Sequence, residues 1–155
     1  MTQPAIQQTP STSTYSIISY PASQLPKSYE ALVYSKWLRS LRFGNDYFKL
    51  MDKHPYFVAY HAYLSQLLAK PNTVIRLAVL SDDPDTVLGF SVCRDHIVDY
   101  CHVHKDLRKQ GIGTSLLPSD IIKNEGEGYS VTHLTNIGLS IWSKKLSKAR
   151  FNPFA

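Results

Sequence analysis

Leu107-Arg108-Lys109-Gln110-Gly111-Ile112-Gly113-Thr114-Ser115-Leu116-Leu117 is the stretch on which the fold turns. It follows a β-prone run and opens a helical pattern, so its two glycines fall at a strand-to-helix turn. Glycine there permits positive φ and lets the backbone approach a ligand closely. The free amides and the dipole of the following helix favour an anion such as a phosphate. Arg108 and Lys109 place positive charge beside it, and Thr114 and Ser115 offer hydroxyls. The stretch is not a Walker A loop, because Gly-x4-Gly-Lys-Ser/Thr is absent. Nor is it a dinucleotide fingerprint: Leu116 stands at the third glycine position, and the flanking units are not βαβ. Pro118 lies early in the helix and removes a hydrogen bond, so a short or bent helix is expected.

Upstream, the chain reads as a meander. Thr73–Leu80 (TVIRLAVL) and Val87–Arg94 (VLGFSVCR) flank the turn cluster Ser81–Thr86 (SDDPDT), a hairpin signature. Ile97–His104 (IVDYCHVH) continues it without an intervening helix. Alternation on this third run puts Tyr100, His102 and His104 on one face, with Asp99, Cys101 and Val103 on the other. Earlier still, two helical patterns appear. One covers Ser28–Phe43, with Leu32, Trp37, Leu38 and Leu41 apolar, and stops at Gly44-Asn45-Asp46. The other covers Tyr56–Lys70 between Pro55 and Pro71-Asn72, with a stripe of Phe57, Tyr60, Tyr63, Leu64, Leu67 and Leu68. That stripe is read as core. Tyr15–Tyr20 suits a first strand ended by Pro21.

Downstream, Ser130–Leu134 reads as a strand, Gly138–Lys148 as a helix and Ala149–Phe154 as a closing strand. The order β-α-α-β-β-β-α-β-α-β describes an α+β domain. Residues 1–14 (MTQPAIQQTPSTST) hold almost nothing to bury and are expected to form a disordered tail, leaving 15–155 as a single domain.

Composition narrows the function classes. At 155 residues and 43% hydrophobic the chain can bury one core, and no apolar run approaches the roughly 20 residues of a membrane span. No signal peptide is read at the start. With Cys93 and Cys101 alone there is no disulfide framework, so a reducing cytoplasm is expected. Cys101, His102, His104 and His96 lack metal-ligand spacing, so no metal is expected. The formal charge of +5 permits an anionic partner, nucleic acid included, without requiring one.

Arg108-Lys109-Gln110-Gly111-Ile112-Gly113 resembles the acyl-CoA loop of the GNAT (Gcn5-related N-acetyltransferase) superfamily, Arg/Gln-x-x-Gly-x-Gly/Ala. Val103-His104-Lys105-Asp106-Leu107 is similar to that family's strand end and turn, and the elements on either side fall in its order. The lead-in and the ending Phe-Asn-Pro-Phe are most similar to phage-encoded members. The resemblance implies a mixed, mostly antiparallel sheet of about six strands flanked by about four helices. It also implies acetyl-CoA as cosubstrate. The amides of Gln110, Gly111, Ile112, Gly113 and Thr114 would hold its pyrophosphate, with Ser115, Arg108 and Lys109 beside them. The backbone of Cys101, His102 and Val103 would line the pantetheine and polarise the thioester carbonyl. Asn136 matches a family position as well.

Acid-base chemistry is less regular. Direct attack by an amine on a thioester benefits from a base near neutral pKa and a proton donor for the leaving thiolate. The glutamate that family members often place on the third meander strand is absent, which leaves Asp99, His102 and His104. The family's tyrosine acid falls here at Trp142 or Ser143, so Tyr129, Ser143 or water would have to serve. The expected activity is transfer of an acetyl group to a small amine or a protein amine in a ternary complex. The alternative is a non-catalytic protein of the same fold that grips a host protein or nucleic acid through basic residues such as Lys144, Lys145, Lys148 and Arg150. A membrane is not expected as partner, and a homodimer is left open.

Overall fold

In the computed structural model, residues 14–108 and 111–155 are described. Most of the tail expected at 1–14, and the loop residues Lys109 and Gln110, lie outside them. Six strands lie in chain order: β1 (Tyr15–Pro21), β2 (Thr73–Leu80), β3 (Asp83–Arg94), β4 (Ile97–Val103), β5 (Ser130–Val131) and β6 (Arg150–Phe151). β1 to β4 are antiparallel; β4–β5 and β5–β6 are parallel. The mixed α+β sheet is therefore as expected, although its last two strands are only two residues each.

Helices α1 (Lys27–Gly44) and α2 (Lys53–Leu68) connect β1 to β2 and cover one face. Their apolar stripes meet alternate residues of the meander: Val33, Trp37, Leu41, Leu64 and Leu67 bury against Ile75, Leu77, Phe90, Val92 and Tyr100. Removing each large side chain from water stabilises by about 2 kcal/mol. Trp37 stacks on Tyr100 at 4.9 Å, and Tyr56 Oη donates to the Leu38 carbonyl across the two helices at 2.6 Å. α2 begins before the expected Tyr56, which puts Pro55 at its third position, where a helix needs no amide donor.

The opposite face carries α3 (Ile112–Leu116), α4 (Ser119–Lys123) and α5 (Asn136–Lys145). Ile112 and Leu116 pack on Ala78 and Leu88; Ile121, Tyr129, Val131 and Leu146 pack on Cys93 and Val98. Pro118 breaks the loop helix in two and stands as N-cap of the second piece, so five helices replace the expected four. α5 starts before the expected Gly138 because the Thr135 hydroxyl accepts from the Gly138 amide, an N-cap bond. β3 also starts early, at Asp83. A register shift pairs Leu80 with Asp83 and Val79 with Val87, drawing part of the acidic turn cluster into the strand. Gly89 is the point of closest strand contact, since a Cβ there would stand 2.6 Å from the His102 carbonyl oxygen.

Candidate active site

The site begins at an irregularity in β4. Val92 faces Tyr100 and Cys93 faces Val98, so Asp99 is an extra residue with no partner on β3. Such a bulge bends its strand and disrupts the ladder. β5 accordingly pairs only with Ile97 and Val98, and the Thr132 amide makes one more bond to the Val98 carbonyl at 3.1 Å. The strand expected to reach Leu134 therefore ends at Val131. Beyond it the outer edge of β4, Cys101 to Val103, has no strand beside it among the described residues. Cys101 is exposed there. Cys93 does lie in the core, where burial pushes its thiol up to about 11.

At the far end of this edge Arg108 Nε donates to the Val103 carbonyl at 3.1 Å. Gly111 then takes φ +85° at the N-cap of α3, and a Cβ at this position would meet nothing within 4 Å. The amides of Ile112, Gly113 and Thr114 occupy the first helical turn, where the helix supplies no acceptor. Ser115 differs from expectation. Its hydroxyl donates to the Gly111 carbonyl (3.0 Å) and lies 2.8 Å from Tyr15 Oη, so it is tied into the protein. Asn136 is similarly engaged elsewhere, through Asp46 Oδ1 at 3.3 Å.

A cavity of about 620 Å³ opens on the α2 side of β5. Phe48, Tyr60, Tyr63, Leu134 and Phe151 give it an apolar wall, while Asn45, Lys70, Thr132 and His133 supply polar groups. The α2 aromatics thus divide their work: Tyr56 is buried in the core, whereas Tyr60 and Tyr63 face the cavity. Burial raises the Tyr60 phenol to about 12 and raises Tyr63 as well.

The bulge also turns Asp99 toward this side. Its fully buried carboxylate meets Arg94 twice, at 2.6 Å (Nε–Oδ2) and 3.0 Å (Nη2–Oδ1), and receives the Thr132 hydroxyl at 2.8 Å. Thr132, which lines the cavity, bonds this carboxylate, so strict alternation, which would send Asp99 to the opposite face, fails at this residue. Both oxygens of Asp99 are thus committed within the protein. Thr132 in turn lies 2.8 Å from Nδ1 of His133, a residue the strand reading passed over.

The remaining candidates lie elsewhere. Tyr129 packs against Val131 and Leu146 on the far face and donates to Asp120 Oδ1 at 2.9 Å, with its phenol pushed up to about 12 by burial and by Asp120. Ser143 is exposed on α5 and donates to the Ser140 carbonyl at 2.9 Å. Neither lines the cavity. Trp142 Nε1 donates to the Ala149 carbonyl at 3.1 Å. His102 packs on Phe90 at 5.7 Å, and burial, followed by the Arg108 charge, lowers its imidazole to about 4. His104 is exposed and accepts from the Asp106 amide.

By sequence, no family model and no curated protein matches the chain. Solved structures do match. A candidate acetyl transferase from Pyrococcus furiosus superposes with a TM-score of 0.57 at 17% identity, over 89% of this chain and 95% of that one. Ribosomal-protein-alanine N-acetyltransferase from Brucella melitensis biovar Abortus 2308 gives 0.50 at 16% identity, over 91% and 97%. An acetyltransferase of the GNAT family from Staphylococcus aureus Mu50 gives 0.49 at 16% identity, over 83% and 79%. The fold is the GNAT acetyltransferase fold. Within this GNAT fold α3 packs at the Val103 end of the unpaired β4 edge, and the cavity region is lined by Thr132, His133 and Leu134, which continue β5. Tyr129 and Ser143 lie outside that region. His133 lies inside it, two residues beyond the end of β5.

Proposed function

We propose that the protein is an acyl-CoA-dependent N-acyltransferase that moves an acetyl group to a primary amine by direct attack in a ternary complex. The observation that carries this reading is the parting of β4 from β5 after Val131, with the first-turn amides of α3 at one end and the cavity at the other. The donor set fits an acyl-CoA. The amides of Gly111, Ile112, Gly113 and Thr114 would hold the pyrophosphate, with the open space over Gly111 leaving room for it. Arg108 adds charge, and the outer backbone edge of Cys101 to Val103, apart from the Val103 carbonyl that Arg108 occupies, would pair with the amides of the pantetheine arm. Bound there, the thioester supplies an activated acyl carbon.

The chain's own residues would then bind and orient the acceptor. Phe48, Tyr60 and Tyr63 would take an apolar body of a small amine or of a side chain, displacing water from the cavity. Lys70 on the wall disfavours a second positive charge at its end of the cavity. The cytoplasm is the compartment we assign, where acyl-CoA is available; among the described residues no helix is long and apolar enough to cross a membrane.

Thermal unfolding with acetyl-CoA tests the reading. Ligand at a hundred times Kd stabilises by about 2.7 kcal/mol, which for a domain of this size raises Tm by roughly 5–10 °C. No shift at millimolar acetyl-CoA would end the proposal. A second reading, a binding protein on the same fold, is favoured by α5, which buries none of its own residues and leaves Ile137, Leu139 and Ile141 about half exposed. On that reading a partner protects α5 from hydrogen exchange, and acetyl-CoA produces no shift.

A further inference from the structure

We propose that His133 is the general base of the transfer, held by a relay that runs from Asp99 through Thr132, and that it serves the amine bound in the cavity beside β5. The inference rests on the acyltransferase reading and adds to it the group that activates the acceptor.

The geometry of the relay fixes the tautomer. Arg94 holds both oxygens of the Asp99 carboxylate, which can only accept further hydrogen bonds. The single hydroxyl proton of Thr132 therefore goes to Asp99 Oδ1, at 2.8 Å. The lone pair left on Thr132 Oγ1 faces His133 Nδ1, also at 2.8 Å, so Nδ1 carries the ring proton. Nε2 is left with a lone pair. No protein group holds it among the described residues, and it is not one of the buried unpaired nitrogens, which are Trp37 Nε1 and one Arg76 nitrogen. With Nδ1 taken by Thr132, Nε2 is the ring nitrogen left for a ligand in the cavity that His133 lines.

The ring is also held in place. Trp37 stands edge-on to it at 5.6 Å, Tyr63 lies at 5.7 Å, and Tyr60 and Tyr100 lie at 6.5 Å. This aromatic collar removes water, and burial lowers the His133 imidazole, against the opposing pull of Asp99, so the free base is the resting form. An imidazole oriented by a carboxylate through a hydroxyl can accept a proton at Nε2 while the Asp99 charge stabilises the imidazolium that results.

A primary ammonium entering the cavity gives one proton to Nε2, which frees the nitrogen lone pair. That pair forms the N–C bond to the acyl carbon of the thioester, and the C–S bond breaks with its electron pair on sulfur. The second nitrogen proton passes to that sulfur, so amide and free thiol leave, and His133 returns its proton to solvent. Asp99 and Thr132 are positioning residues throughout.

Three variants and one spectrum test this in the full chain. His133→Gln should lower kcat by about 100-fold or more with KM for acetyl-CoA and its thermal shift unchanged, the scale of a lost general base. Thr132→Val, which keeps the shape and removes the hydroxyl, should lower kcat less and leave both binding steps intact. Lys123→Ala, on α4 across the sheet from the cavity, should leave kcat and both KM values unchanged. Nitrogen-15 NMR of the imidazole, with no ligand present, should show a protonated Nδ1 and a bare Nε2 in the wild type, shifting toward Nε2–H in Thr132→Val. A wild type that turns over while His133→Gln keeps its kcat overturns the base and leaves the acyltransferase reading standing. An Nε2–H tautomer in the wild type overturns the relay. A wild type with neither acetyl-CoA shift nor turnover overturns both.

Discussion

Arg94 and Asp99 meet across the β3–β4 turn through two hydrogen bonds, Nε–Oδ2 at 2.6 Å and Nη2–Oδ1 at 3.0 Å, with the carboxylate wholly out of water. Hydrogen bonding to Asp99 raises the Arg94 guanidinium further above its already high range. Asp99 is present at this site because the β4 bulge turns it there. Replacing Arg94 with Leu would leave a buried carboxylate with Thr132 as its remaining side-chain donor. Uncompensated buried charges of this kind cost about 3–5 kcal/mol. Urea unfolding of Arg94→Leu should show a loss of that order, and a change under 1 kcal/mol would mean that water reaches Asp99.

Gly111 offers a cleaner probe of the loop. Its φ of +85° makes alanine unfavourable by about 1–2 kcal/mol, but a Cβ would meet no neighbour. Gly111→Asp should therefore fold, since aspartate tolerates this region, while setting a carboxylate against the phosphates. The acetyl-CoA thermal shift should disappear. An undiminished shift would place the ligand elsewhere.

Stability should depend on pH through His102. Its folded imidazole titrates at about 4, against about 6.5 in an unfolded chain. Between these values the unfolded state binds a proton that the folded state does not, so stability is full above pH 6.5 and falls as pH drops toward 4. His133, lowered in the same direction, adds to the slope. Denaturant midpoints at pH 4.5 and 7.0 should differ more for the wild type than for His102→Gln. Equal differences would show that His102 is solvated in the folded protein.

The cavity can be filled without touching the loop. Ala59 lies on its wall on the exposed side of α2, so Ala59→Trp introduces an indole at no cost to the core. KM for the amine should rise at least tenfold with the acetyl-CoA shift preserved. An unchanged KM would put the acceptor in another place.

Much of this architecture is legible in the sequence because it is local. Alternation in Thr73–Leu80 and helical spacing around Trp37 and Leu41 name the residues that do meet in the core. Pro118 announces the broken helix that follows the glycine loop. The bulge at Asp99 escapes such reading, since nothing in IVDYCHV marks which residue will lack a partner. Its consequences escape with it: Asp99 changes face, β5 stops at Val131, and the β4 edge is left open. His133 depends on all three. It reaches Asp99, 34 positions earlier in the chain, only through Thr132, and no spacing rule connects them. Of the proton donors considered, Ser143 falls at a family position and Tyr129 is a substitute for it; burial against α4 and the turn of α5 carry both away from the cavity.

The most direct measurement is release of free CoA from acetyl-CoA by the wild-type chain, read together with amide formation on a primary amine bearing a ring-sized apolar body. The account predicts saturable release that requires the amine, with one CoA freed for each amide made. Acetyl-CoA that binds and raises Tm, yet yields no amine-dependent CoA across a panel of small amines and amine-bearing peptides, would contradict it.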